Sequence, residues 1–313
     1  MKRYFPFLRG KQYEMMALRE LAEEIAESSS VIPLIEPVRD NPATRISLDR
    51  FIEVGMPFLL ITTPFKGLFT GNSQQLFTNL IEPSLMESDT WIPAIQLQRQ
   101  STAQEISAFL ERYENFEVAV VYMGLPDRSA ARTLLGDERF AHHVFVNGTV
   151  DAAYVNTIPQ DRRVMIFDRF QKQERNADYP ERELFTDWNT VAGNPQRLDF
   201  GDFSMVGDNY SDEGGPAYAV ALHHIHFQEE VGPLDISHFI SDRTETTADT
   251  PGKTLEALTK LVEALDELEP SDTGACDEYR EIEAEGNFRG LGYMKKLALK
   301  HHLEVMINGG IQL

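Results

Sequence analysis

The chain has a single cysteine, Cys276, among 313 residues. No internal disulfide can form, which suits a reducing compartment, and zinc sites built from thiolates are excluded on the same count. Basic residues are also scarce, with 29 Lys and Arg against 50 Asp and Glu and a net charge of −21. Such a surface repels phosphate backbones and anionic bilayers, so non-specific nucleic-acid binding is not expected. No apolar run approaches the length of a membrane span, and the opening "MKRYFPFLRGKQYEM" has a basic start without the apolar stretch of a signal peptide. The expectation is a cytoplasmic protein with no membrane partner. Also missing are a Gly-rich dinucleotide or phosphate loop, a G-x-S-x-G elbow and an H-E-x-x-H helix, so no nucleophile stands out.

What the chain does have is an alternation of short β-rich runs and helical patterns. The runs are "YFPFL" at Tyr4, "VIPLIEPV" at Val31, "PFLLITT" at Pro57, "WIPAIQL" at Trp91, "EVAVVYM" at Glu117, "HHVFV" at His142, "RVMIF" at Arg163 and "DFSMVG" at Asp202. Most are nearly continuous apolar stretches, as when both faces of a parallel sheet are buried. Between them, Leu18, Leu21, Ala22 and Ile25 follow i, i+3, i+4, i+7 spacing. Ile106, Phe109, Leu110 and Tyr113 repeat it behind a capping-box pattern from Thr102 to Glu105, and so do Leu258, Leu261, Val262 and Leu265. Eight β/α units at spacings of roughly 20–40 residues predict an α/β fold of the (β/α)8 TIM-like barrel class, with the whole chain in one domain.

"AYAVALHHIHF" and "LDISHFISD", joined by "QEEVGP", read as an antiparallel hairpin within about 209–243, inserted after the eighth strand. A competing count omits "YFPFL", whose Pro6 suits an edge segment, and makes the histidine run itself the eighth strand. The acidic stretch at about 266–287 reads as a solvated surface loop. The basic "YMKKLALKHH", with Lys295, Lys296 and Lys300, reads as a complement to the C-terminal end of a helix dipole.

Barrels of this class place ligand sites where the C-terminal strand ends converge. Here those ends supply Arg9 and Lys11, Glu36, Thr62 and Thr63, Gln96 and Gln98, Tyr122, Asn147, Asp168 and Arg169, and Asp208. Glu36 and Asp168 interrupt apolar runs, and a carboxylate there needs a cation, a metal or good hydrogen bonds to stay ionised. Lys11 and Arg169 are the candidate counter-ions. Two readings stand side by side: an acid/base or metal-binding mouth, or a ring of salt bridges closing an inactive barrel. The loop "GDNYSDEGGPAY" sets Asp208, Asp212 and Glu213 among Tyr210, Ser211 and a Gly214-Gly215-Pro216 turn. That composition suits cation or hydroxyl recognition as well as an ordinary turn.

Three of the eight histidines lie within "HHIH". On a strand His224 and His226 share one face and His223 takes the other, so at most two can ligate one metal. A His-x-His pair is a zinc-ligand geometry but needs a third ligand, for which Asp208, Asp168 or His238 is a candidate. Histidines on a hairpin are more often half-exposed or paired across strands, so no metal is favoured and a divalent ion is only an option.

"YFPFLRGKQYEMMALREL", "FDRFQKQERNADYPE", "GDFSMVGDNYSDEGGPAYAVALH" and "HFISDRTE" together resemble the bacterial and phage beta-protein family over the whole chain. The resemblance implies a barrel-like α/β fold and a setting in phage defence or mobile elements, with some members beside nuclease-like genes. It brings no established reaction. Arg9, Gly10, Lys11 and Glu14 match the opening motif; Arg175, Asn176, Ala177, Asp178 and Tyr179 match the central one. Asp202, Asp208, Gly214, Gly215 and His223 match the third. His224 and His226 stand where the family pattern more often has apolar or aromatic residues.

Two functions follow as expectations. One is a recognition or regulatory barrel for a small-molecule or nucleotide ligand or a nuclease-like protein partner encoded nearby, with Arg9, Arg169, Arg175, Asn176, Asp178 and Tyr210 as binding residues. The other is a hydrolase or phosphodiesterase on a nucleotide-like substrate, with Lys11, Glu36, Asp168, Asp208 and His223 as catalytic candidates. The first is preferred, because the missing nucleophile leaves the second without a mechanism.

Overall fold

The structure is a computed structural model that describes residues 2–211, 215, 218–229 and 232–311. One sheet of eight strands runs in the order β1 (Phe7–Leu8), β2 (Leu34–Ile35), β3 (Phe58–Ile61), β4 (Trp91–Leu97), β5 (Val118–Tyr122), β6 (Phe140–Val146), β7 (Arg163–Phe167) and β9 (Asp199–Asp202). Every neighbouring pair is parallel. The two ends of the sheet meet, because Tyr4 bridges both Val31 and Phe200 and Phe5 N–H donates to Phe200 O at 2.8 Å. The sheet thereby curls into a (β/α)8 TIM-like barrel.

Helices fill the crossovers: α1 (Gln12–Glu20) and α2 (Ala22–Ser28) after β1, α3 (Pro42–Val54) after β2, α4 (Ser73–Leu76) after β3, α5 (Ala103–Arg112) after β4, α6 (Arg128–Gly136) after β5 and α7 (Ala152–Val155) after β6. Helix α5 starts on the Thr102–Glu105 capping box that its sequence predicts. Inside the barrel, Phe5 and Phe7, Ile32 and Leu34, Leu59 and Ile61, Ala119 and Val121, and Val164 and Ile166 belong to one core cluster. The spacing of two is the strand pleat. The intervening Leu8, Ile35, Leu60 and Val120, on the other face of the pleat, are buried as well, which explains the continuous apolar runs.

Closure has identifiable causes. Arg3 reaches Asp199 with Nε at 3.2 Å and Nη2 at 2.8 Å, and Tyr4 OH donates to Asp202 Oδ1 at 2.7 Å. Gly201 lets the backbones approach, since a Cβ there would lie 1.9 Å from Phe5 O. The "YFPFL" run therefore supplies the first strand. The eighth strand lies earlier than "DFSMVG" suggests, at Asp199–Asp202, because Ser204 takes φ +51° and Ser204–Val206 form a 3-10 turn instead.

The chain gathers into two compact units. The barrel comprises Met1–Met15, Ala22–Asp168 and Leu198–Phe203; the second unit comprises Met16–Leu21, Arg169–Arg197 and Ser204–Leu313. In the second unit the expected hairpin forms, β10 (Ala221–Phe227) against β11 (Leu234–Ile240). It is joined by β8 (Arg182–Thr186) in an antiparallel sheet of order β10-β11-β8. Helices α8 (Thr250–Ala264), α9 (Gly274–Glu285) and α10 (Leu291–Ile307) complete it. Val220 and Leu222 cluster with Leu258, Leu261, Tyr279 and Leu297 from those helices.

Two sequence expectations change here. Much of the acidic stretch at 266–287 is helix α9 rather than a loop: Thr273 caps it, and Ala275, Cys276, Tyr279 and Ile282 form a buried stripe. The basic cluster lies inside α10, not at a helix end. There Lys296 pairs with Glu20 at 2.8 Å and with Glu278 at 3.5 Å, and Lys300 pairs with Glu278. Among the described residues no helix is long and apolar enough to cross a membrane.

Candidate functional site

The barrel's inward pleat continues past its last apolar layer. Arg9 follows Phe7, Glu36 follows Leu34, Thr63 follows Ile61 and Gln96 follows Ala94, each two residues further along the same face. Arg9 is 3% exposed and Glu36 is 0% exposed, and Arg9 Nη1 donates to Glu36 Oε2. Glu36 Oε1 accepts the N–H groups of Phe65 at 2.8 Å and Lys66 at 3.1 Å. The Arg9 guanidinium also faces the rings of Phe7 at 4.8 Å and Phe203 at 5.3 Å. A buried carboxylate held by one guanidinium and two amides has both of its oxygens occupied. Glu36 is a structural anion at the mouth rather than a base open to a substrate.

The opening motif has a physical role in this arrangement. Gly10 takes φ +62°, which turns the chain between Arg9 and α1. Glu14, in the first turn of α1, accepts Arg9 N–H at 2.7 Å and Lys11 N–H at 3.2 Å, as a helix-capping carboxylate does. Burial raises the Glu14 carboxyl above the usual range, against the opposing backbone hydrogen bonds. Gly10 and Glu14 thus hold Arg9 beside Glu36, and Lys11 contributes a backbone donor.

Beside this pair, a cavity of about 420 Å³ opens between the C-terminal ends of β3 and β4 and the flank of α5. Its polar lining is mostly uncharged: Thr62, Thr63, Gln96, Gln98 and Ser101. Aromatic walls come from Phe65, Phe69, Phe109 and Tyr113, and Glu105 and Arg112 supply opposite charges. Gln96 is held in place, with Oε1 accepting Phe65 N–H at 3.0 Å, so its NH2 group is left to donate. Thr63 Oγ1 accepts Gln96 N–H at 2.9 Å. Burial pushes the Tyr113 phenol up to about 12, partly offset by a hydrogen bond with Thr62. Arg112 bonds Gln74 Oε1 at 2.7 Å and covers Phe77.

The remaining candidates do not gather at one place within a unit. Asp168 belongs to the barrel and is exposed, with its N–H donating to Asn147 Oδ1 at 2.7 Å. Arg169, Arg175, Asn176, Asp178, Asp208, Tyr210 and His223 belong to the second unit. Arg175 and Asp178 pair with each other on its surface at 2.7 Å, and Arg175 holds the Asp178 carboxyl below the usual range. Asn176 Nδ2 donates to Ala219 O at 2.7 Å. These motif residues shape a turn. Arg169, Asp208 and Tyr210 are half-buried, while Asp212, Glu213 and Gly214 lie outside the described residues.

The histidines divide by face as the pleat requires. His223 meets His238, Phe170 and Tyr179. Its Nδ1 is 2.7 Å from His238 Nδ1, and His238 Nε2 is 3.2 Å from Glu183 Oε1. Glu183 accepts the Nε2 proton of His238, which makes His238 Nδ1 the acceptor for His223 and leaves His223 Nε2 as an acceptor. Burial pulls His223 down to about 3. On the other face, His226 bonds Ser237 Oγ at 2.8 Å and Phe227 O at 2.9 Å, so both of its nitrogens are used. The His-x-His pair does not form a shared donor set. His224 instead stacks on His301 of α10.

Sequence reasoning named Thr62, Thr63, Gln96 and Gln98 as strand ends but missed the α5 wall, which needs the crossover packing to appear. It also placed Cys276 in a loop, whereas the thiol is buried and pushed up to about 11 by that burial, too weakly ionised to act as a nucleophile. No known protein family, curated protein or solved structure matches the chain.

Proposed function

We propose that the barrel is a recognition module that binds a small polar molecule of the nucleobase or nucleoside class in the cavity of β3, β4 and α5. The observation that carries this reading is the cavity itself, about 420 Å³ with aromatic walls and a pre-oriented Gln96 amide. That volume lies in the range of small-molecule sites, and a fixed amide between aromatic faces suits a planar heterocycle with amide-like edges. The resemblance of the sequence motifs supports a cytoplasmic setting in phage defence or a mobile element, with a nuclease-like protein partner. Titration calorimetry with a panel of nucleobases and nucleosides tests the ligand class. A binder is expected, and Gln96→Leu should weaken it about tenfold, the worth of one or two hydrogen bonds. Silence across the panel overturns the proposal, and recovery of a nuclease in a pull-down from the native host supports the partner.

One observation favours the hydrolase reading: the Glu183, His238 and His223 chain, which orients His223 Nε2 as an acceptor. Its weakness is the same burial that lowers His223 to about 3, far from the near-neutral value that suits a general base. Phosphodiester hydrolysis by the wild-type chain that is lost in His223→Gln supports this reading; an inactive wild type removes it.

A further inference from the structure

We propose that His224, Cys276 and His301 bind one soft d10 metal ion, Cu⁺ in preference to Zn²⁺, in the core of the second unit. Their ligand atoms, one from each side chain, lie within 4.8 Å of one another. All three residues are 0% exposed. They come from β10, α9 and α10, three elements of the same unit, so regular backbone rather than loops presents them.

The independent sign of a ligand is His224. Neither of its ring nitrogens has a hydrogen-bond partner among the described residues. Buried imidazoles ordinarily use at least one nitrogen, and an unused pair destabilises the fold unless something else takes it up. His301 is set differently and equally suitably. Its Nε2 donates to Ile225 O at 2.7 Å, which leaves Nδ1 with a lone pair, 3.6 Å from Cys276 Sγ. Anchoring the far ring nitrogen on a carbonyl is how proteins orient a metal-bound histidine.

The donor set selects the ion. One thiolate and two neutral imidazoles carry a single negative charge, which Cu⁺ neutralises in a site closed to water. Zn²⁺ leaves a net positive charge there and lacks its usual fourth donor. Glu304 accepts Ala275 N–H at 3.1 Å and is not one of the three donors. On binding, Cu⁺ replaces the thiol proton, which leaves to solvent, and no electron is transferred.

Loading needs small movements. Bonds of about 2.0–2.3 Å require the donors to close to roughly 3.5–3.9 Å from one another. The His224 ring turns out of its stack on His301, where the centroids are 4.0 Å apart, and no hydrogen bond opposes that turn. The Thr273 hydroxyl gives up its 2.8 Å contact with His301 Nδ1.

The test uses the full chain purified under anaerobic, reducing conditions. Cu⁺ is titrated in competition with a chromophoric Cu⁺ chelator, Zn²⁺ is titrated separately, and the bound ion is examined by X-ray absorption. The expected result is one Cu⁺ per chain with one sulfur and two nitrogens around it. Binding should fall by at least about 100-fold in Cys276→Ser and in His224→Phe, which keeps an aromatic ring in the stack. Cu⁺ should raise the unfolding temperature of the wild type and not of the variants. Failure to compete with the chelator, retention of Cu⁺ by folded variants, or stoichiometric Zn²⁺ where Cu⁺ is refused overturns the proposal. Should neither variant fold, the wild-type absorption spectrum decides, because a shell without sulfur contradicts the site.

Discussion

Replacing Glu36 by glutamine keeps the side chain's shape and removes its charge. The Arg9 guanidinium, 3% exposed, then faces an amide NH2 or a neutral carbonyl instead of a carboxylate. Removing one partner of a buried pair costs about 3–5 kcal/mol, because the remaining charge is left uncompensated in the interior. Arg9→Met should cost a similar amount by stranding Glu36. The double replacement Arg9→Met with Glu36→Leu removes both charges, and what remains is the loss of an acceptor for Phe65 and Lys66 N–H. Phe65 N–H keeps Gln96 Oε1 at 3.0 Å, so that loss is about 1–2 kcal/mol. The double variant should therefore be more stable than Arg9→Met or Glu36→Leu alone, the two single variants that complete its cycle. Urea unfolding measures this in a Trp188→Phe background, where the remaining tryptophan, buried Trp91, reports on the barrel alone. Additive losses across the cycle, or a Glu36→Gln variant within about 1 kcal/mol of wild type, would refute the assignment of Glu36 as a structural anion.

Other outcomes follow from the same geometry. Gly201→Ala forces a Cβ to within 1.9 Å of Phe5 O, so the closing strands must separate. A loss above about 4 kcal/mol is expected in the same unfolding assay, and near-wild-type stability would contradict the closure. The barrel holds two histidines, His142 and His143, whose pKa values burial lowers from 6.5 to about 3 and about 4. The unfolded chain takes up their protons below pH 6.5 while the folded barrel does not, so stability is complete above that pH and falls as the pH drops towards 4. The slope approaches about 1.4 kcal/mol per pH unit for each histidine, and His142→Phe should remove its share; a flat stability profile between pH 6.5 and 5 would contradict their neutral burial. Asp178→Ala breaks an exposed, solvent-screened pair and should leave the urea midpoint unchanged, with any clear shift counting against a purely local role.

The barrel was legible because most of its strands are buried on both faces and announce themselves as apolar runs: "WIPAIQL" coincides with β4 and "EVAVVYM" contains β5. The hairpin was legible from two β-rich runs around a turn. Strand β8 was not, since "RELFT" is an edge strand that opens on Arg182 and Glu183 and exposes Leu184, so neither an apolar run nor a clean alternation marks it. Helix α9 was hidden by its charge, because the stripe from Ala275 to Ile282 is narrow and the surrounding residues are acidic. Site residues were harder still. The types at strand ends could be named, but whether Glu36 is open or occupied depends on where Arg9 and the Phe65 amide reach. The pleat did place His224 and His226 on the face opposite His223. The partners that distinguish them, Ser237 for one and His301 for the other, come from a neighbouring strand and a distant helix.

The cavity of β3, β4 and α5 is the proposed seat of a small polar ligand. A crystal structure of the full chain with the tightest-binding nucleoside or nucleobase from the titration tests it most directly. The heterocycle is expected between the aromatic walls, with the Gln96 NH2 donating to its edge. A ligand bound elsewhere, with the Gln96 amide untouched, would contradict it.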